Sequence, residues 1–349
     1  MPGPAELVLI LGFLIGLAYG VVGLVSGFCL LTSLRNWLTQ GDGVRIRSYA
    51  LAMAAAMLGA QALAGFGLVD LGQSIYLQPS FSAPLMFAGG LAFGYGMVLA
   101  NGCGSRAAVL LGRGNLRSFV VVVTLGITAQ MTLRGLLGPV RVAASQASNT
   151  TPAVNSLPDA LAGALGSGAG RMTAALLIAG ALIAFAFSHA PLRQARGQWI
   201  AGILIGLLVA AGWYTTGAVG GEAFEPIPVT SLTFVAPTAD SVQYVMLSTG
   251  MTPNFGIVMV AGVIAGSLAT ALLTGRFALE GYRSAAHMLR SIAGAALMGM
   301  GGACALGCSV GQGLTGVSTL AFASMIAFAG ILLGLTAGLR GPLKAPPIA

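Results

Sequence analysis

Gly89…Gly94-Tyr95-Gly96…Gly102-Cys103-Gly104-Ser105 returns 205 positions later as Gly294…Gly299-Met300-Gly301…Gly307-Cys308-Ser309. Gly89, Gly94, Gly96, Gly102 and Cys103 all find their counterparts without a gap. A weaker echo pairs Gly12-Phe13-Leu14-Ile15-Gly16-Leu17 with Gly202-Ile203-Leu204-Ile205-Gly206-Leu207. A thiol on a flexible turn, at matching places in two apolar halves, is the pattern of a membrane path built where two repeats meet.

Composition places the chain in a bilayer. Of its 349 residues, 56% are hydrophobic and 7% charged, and mean hydropathy is +0.91. A soluble domain carries about 25% charged residues. The 53 glycines fit the same class, because small residues let transmembrane helices approach closely. Net charge is +8, and Lys344 is the only lysine among the 16 basic residues. The arginines are spread over short loops and form no patch or stripe, so nucleic acid is excluded as a partner; the partner these apolar segments imply is membrane lipid. With only His189 and His287, and no Cys-x-x-Cys among Cys29, Cys103, Cys304 and Cys308, neither a metal site nor another cofactor is expected.

Apolar stretches of about bilayer length fall at 7–31, 48–69, 81–101, 118–138, 172–188, 198–215, 254–274, 291–306 and 317–339. The fold class is therefore all-α and polytopic, with about nine spans in a single transmembrane domain covering 1–349. With residues 32–47 placed inside and the spans alternating, 13 basic residues lie inside and only Arg134, Arg141 and Arg171 outside. The N-terminus is then periplasmic and the C-terminus cytoplasmic. No basic residue precedes the first apolar run, so that run is expected to remain as a helix rather than leave as a signal peptide. The odd helix at 172–188 turns the second half over, so repeat one (7–138) and repeat two (198–339) should be inverted. Residues 139–170 read as a polar outer stretch, and the prolines of 216–253 argue against continuous helix there.

Cys103 and Cys308 are the first candidates for chemistry. Taken singly, each reads as a small packing residue. Their repetition, beside Gly102, Gly104 and Gly307, places them instead at broken or re-entrant helix ends, which membranes tolerate where backbone is buried in protein or lines an aqueous cavity. No acidic residue sits well inside a span, which weakens cation-coupled readings and suits an anion path. Arg106 is either an anion-attracting group or a cytoplasmic anchor; Arg134 reads as a snorkelling side chain. Ser309, Gln312 and Thr315 form a polar rim after Cys308, with helix capping by Ser309 as the plainer reading. Cys29 and Cys304 read on their own as packing residues, Cys29 having its repeat counterpart near Val219. A neutral thiol is a weak donor and a weak acceptor. It would hold a sulfur-containing anion loosely, and loose successive sites favour passage. A thiolate would repel the anion, so the path needs neutral thiols, the form that burial favours.

With these residues in hand, the chain resembles the YeeE/YedE family of inner-membrane sulfur-compound transporters. The likeness rests on Gly27-Phe28-Cys29-Leu30-Leu31-Thr32, Gly102-Cys103-Gly104-Ser105 and Gly307-Cys308-Ser309-Val310-Gly311-Gln312-Gly313-Leu314, with Pro237-Thr238-Ala239-Asp240 resembling a family loop. The resemblance implies thiosulfate uptake across a bacterial inner membrane along Cys29, Cys103 and Cys308, through thiol–sulfur hydrogen bonds. It also implies a fold narrowed at mid-membrane, with short helices beside the spans, and a separate TusA-type sulfur carrier in the cytoplasm. Selenium compounds are the neighbouring substrate class. The competing readings are a membrane thiol oxidoreductase or sulfur transferase, which needs an accessible low-pKa thiol with a resolving partner, and a structural membrane subunit.

Overall fold

The computed structural model describes residues 3–165, 167–222, 227–282 and 284–340. Arg283 and Lys344, used in the loop-charge reading, lie outside them, as do Glu225, Pro226 and the tail 341–349. The helices are α1 (Pro4–Ser26), α2 (Leu30–Gln40), α3 (Val44–Gly65), α4 (Ala83–Ala100), α5 (Gly104–Gly112), α6 (Leu116–Leu133), α7 (Gly138–Ala147), α8 (Leu157–Leu165), α9 (Ser167–Phe187), α10 (Ala190–Gln194), α11 (Arg196–Tyr214), α12 (Val235–Leu247), α13 (Phe255–Leu273), α14 (Ala285–Cys304) and α15 (Phe322–Arg340). Among the described residues β structure is limited to isolated bridges.

Eight segments are long and apolar enough to cross a bilayer. They agree with the sequence reading except at 291–306, which falls in α14, a helix of 20 residues whose first half carries His287 and Arg290. Large apolar side chains such as Ile10, Leu14, Leu176, Leu177, Leu272 and Leu333 point outward, as lipid-facing surface requires.

Helix pairing is set by glycine. Without a hydrophobic drive between helices in lipid, association depends on close packing. On α1, a methyl group at Gly16 or Gly20 would overlap the backbone of Met259 or Val263 on α13; in return Gly262 and Gly266 of α13 receive Phe13 and Leu17. Positions rise together on both helices, so they run parallel. The same arrangement joins α4 to α15, where Gly90 and Gly94 face Ala327 and Ile331, and Gly330 and Gly334 face Phe87 and Leu91. Helix α11 places Gly202 and Gly206 on Ser48 and Ala52 of α3. At the centre, α4 and α14 run antiparallel, with Gly89 against Gly301 and Gly96 against Gly294.

Several local readings are corrected. The first apolar stretch does not continue to residue 31: α1 ends at Ser26, Gly27 turns the chain at φ 66°, and α2 begins at Leu30. Pro237-Thr238-Ala239-Asp240 is not a loop but part of the first turns of α12, where a proline amide is not needed for helical bonding. The polar stretch 139–170 contains α7, α8 and the start of α9. His287 lies in the first turn of α14 rather than in a loop. Arg134 does not simply snorkel, since its Nη1 donates to Asp240 Oδ1 at 3.0 Å.

Candidate functional site

The two Gly-Cys turns share one backbone design. Helix α4 ends in Asn101 at φ 57°, and α14 is followed by Leu306 at φ 54°, both in the left-handed region. The next amides close the turn in the same way: Gly102 N–H donates to Met97 O at 3.0 Å, and Gly307 N–H to Gly302 O at 2.9 Å. A helical turn then restarts after each cysteine, with Ala107 N–H on Cys103 O at 2.8 Å and Gln312 N–H on Cys308 O at 2.7 Å. Leucine rarely adopts this conformation, so the turn at 306 is imposed by its surroundings, while Gly307 lets Gln312 pack against it.

Cys103 is the cap residue of α5, and Cys29 that of α2. Cys308 heads a short wide-turned segment at Gly311–Gly316. In each case the sulfur faces the amide three residues on: Thr32 for Cys29, Arg106 for Cys103, and Gly311 for Cys308, the last at 3.2 Å. Each thiol therefore sits at the positive end of a helical turn, where orphan N–H groups favour an anion. Helix α12 begins in the same region, capped by Phe234. Phe234 caps the helix that follows α11 as Cys29 caps the one that follows α1, while Val219 lies in the wide-turned stretch directly after α11.

All three of these cysteines are buried. Cys29 and Cys103 lie within electrostatic range of each other, and Cys103 Sγ is 3.1 Å from Ser105 Oγ. Cys29 and Cys103 are 4% and 1% exposed, and Cys308 is 1% exposed. Tyr19 lies near Ser105 and within electrostatic range of all three thiols; Tyr49 is within range of the same thiols. Tyr19 packs on Phe234 at 5.2 Å between ring centroids, and Tyr49 stacks between Phe28 and Phe328. Only seven tyrosines occur in the chain, and Tyr19, Tyr49 and Tyr76 all reach this centre. Sequence reading missed them; a hydroxyl within an apolar run was the available signal.

The remaining candidates divide by position. Arg106 lies within electrostatic range of Cys29 and reaches Gly23 O at 3.4 Å. Ser309 is buried; its Oγ caps nothing, while its carbonyl oxygen accepts Tyr49 Oη at 2.6 Å. Gln312 does not join a rim around Cys308: its amide nitrogen reaches back to Ala305 O and locks the turn. Thr315 ties the segment to the Leu232 carbonyl oxygen at 2.6 Å. Cys304 is half-buried at the end of α14, beside Gly89. Tyr49→Phe should lower stability by about 0.5–1.5 kcal/mol, because the buried Ser309 carbonyl would lose one of its two donors and keep the Gly313 N–H at 3.1 Å. The unfolding temperature of the detergent-solubilised variant measures this; an unchanged value removes Tyr49 as the anchor of the Cys308 segment.

Thiols, hydroxyls and half-helix N-termini buried at the meeting point of tightly packed membrane helices define a polytopic membrane protein with an anion-favouring centre. Residues 25–337 match the family described as "Sulphur transport", and the chain belongs to that family. It is similar to the thiosulfate transporter TsuA of Spirochaeta thermophila, with 25% identity covering 93% of this chain and 96% of that protein. It is also similar to the thiosulfate transporter TsuA of Escherichia coli K12, at 23% identity over 93% of this chain and 92% of that one. The chain is thus a multi-pass membrane transporter rather than an enzyme.

Proposed function

We propose that the chain takes up thiosulfate, or a closely related sulfur oxyanion, across a bacterial inner membrane by passing it between Cys308, Cys103 and Cys29. The observation that carries this reading is the burial of all three thiols, each at the N-terminal end of a helical turn and each within electrostatic range of Tyr19 and Tyr49. A neutral thiol offers the anion a weak donor, and the amides behind it supply positive potential without a fixed charge that would trap it. Reciprocal packing supports two inverted repeats. Helix α1 packs on α13 as α11 packs on α3; α4 packs on α15 as α14 packs on α6; and α4 and α14 meet antiparallel. With the N-terminus periplasmic and the C-terminus cytoplasmic, Cys308 ends an outward-running helix, while Cys29 and Cys103 end inward-running ones. The anion then meets Cys308 first and leaves past Arg106 toward a separate TusA-type carrier.

Growth on thiosulfate as sole sulfur source, in a host lacking its own sulfate and thiosulfate importers, tests this directly. The wild-type chain should restore growth, and the variant with Cys29→Ala, Cys103→Ala and Cys308→Ala should not, at equal membrane levels. Growth of that variant at the wild-type rate would remove the thiols from the path; no growth with the wild type would remove thiosulfate as the substrate.

A further inference from the structure

Arg106 has two faces. Its backbone amide addresses the Cys103 sulfur, while its side chain lines a separate cavity of about 280 Å³ between α5, the α5–α6 turn and α14. At roughly 30 Å³ per water, such a space admits an oxyanion with part of its hydration shell. Arg113, Arg117, Asn101 and Asn115 also line it, and Glu280 is the one carboxylate among its described lining residues.

Glu280 is held as an oxyanion would be. Its Oε1 accepts Arg113 Nη2 at 3.2 Å; its Oε2 accepts Arg117 Nη2 at 2.9 Å and Asn115 Nδ2 at 2.8 Å. Two guanidinium groups and an amide converge on one carboxylate, the donor set that recognises sulfate-like anions. Glu280 neutralises only part of the charge. Arg117 Nε is buried without a partner, and Arg106 contributes a third guanidinium to the same wall. Arg35 adds to the basic surroundings, with its Nη2 on Asn101 Oδ1 at 2.8 Å. The carboxylate comes from the other half of the chain: Leu116 N–H donates to Glu280 O at 3.0 Å, and Ala278 N–H to Arg113 O at 3.1 Å, clipping the α13–α14 connection to the α5–α6 turn.

We infer that this cavity is a second binding site for a divalent sulfur oxyanion, in which Glu280 occupies the position the anion takes. The inference rests on the proposed anion transport and extends it: an anion leaving the thiols passes Arg106 and competes with Glu280 for Arg113 and Arg117. The internal carboxylate keeps the site weak enough to release its occupant, the condition for passage through successive sites.

Equilibrium dialysis of radiolabelled sulfate against the purified full-length chain tests this, because sulfate has no sulfane sulfur for the thiols to hold. It should be run at low ionic strength, in the wild type and in the variant with alanine at Cys29, Cys103 and Cys308. Saturable binding is expected in both. Glu280→Gln should tighten it about tenfold, and the Arg113→Gln, Arg117→Gln double variant should weaken it about tenfold. Absence of saturable binding in monodisperse protein, or affinities unmoved by either change, would overturn the site. If the double variant fails to stay monodisperse, Arg117→Lys decides, since it keeps the charge and loses the fork: about threefold weaker binding supports the site and unchanged binding overturns it. Growth that survives loss of the cysteines would sink the thiol path and leave this result standing, so the two failures are distinguishable.

Discussion

Cys103→Ala should lower the initial rate of thiosulfate uptake by about tenfold or more, equivalent to roughly 1.4 kcal/mol of lost transition-state stabilisation. The Cys103 thiol lies within electrostatic range of Cys29, is 3.1 Å from Ser105 Oγ, and stands at the head of α5. Alanine removes the donor and leaves the turn intact, because the Gly102 and Ala107 backbone bonds do not involve the side chain. Cys304→Ala is the matched control. It lies half-buried against Gly89 and should change the rate by less than about twofold, as expected for a thiol that only packs. Radiolabelled uptake at equal membrane levels separates the outcomes; a full rate in Cys103→Ala would remove the thiol relay, and equal losses at both positions would point to packing instead.

Gly94→Val should prevent accumulation of correctly folded protein. A side chain there would overlap the Ile331 carbonyl oxygen on α15, an atom held in a helix that has no rotamer by which to move away. Inserting bulk into such a contact costs about 3 kcal/mol or more, enough to separate helices whose association depends on close approach. Gly180→Val in α9 supplies the contrast, because a Cβ at that position meets nothing within 4 Å. Size-exclusion profiles of the two solubilised variants should differ sharply, the first aggregated and the second close to wild type. A monodisperse, active Gly94→Val protein would show that the α4–α15 contact is looser than its geometry requires.

How much of this was legible depends on the distance over which each feature is decided. The 205-residue repeat carried beyond its glycines into backbone geometry: Asn101 and Leu306 adopt the same left-handed turn despite unlike side chains. The Gly-Cys turns were readable because glycine and a following small residue report a local backbone requirement. The place of Cys29 at a helix cap was not readable from the repeat, because the helix after α11 is capped by Phe234 and follows a longer connection than the one from α1 to α2. Helix α12 was hidden by the prolines of 216–253, of which only Pro237 lies within it, in the first turn, where it costs no hydrogen bond.

From the sequence alone follow the membrane class, the all-helical build, most of the spans, the repeat and the identity of the thiols. Those are properties of composition and short-range pattern: hydropathy over the length of a bilayer, and backbone freedom at a turn. The tertiary structure decided which groups meet: Cys29 near Cys103, Tyr19 on Phe234, Tyr49 on the Ser309 carbonyl, and Glu280 between Arg113 and Arg117. These partners are mostly far apart in the chain, and no local propensity encodes them. They are set by how closely the glycine-faced helices approach, a single geometric solution that fixes the register of every side chain between them.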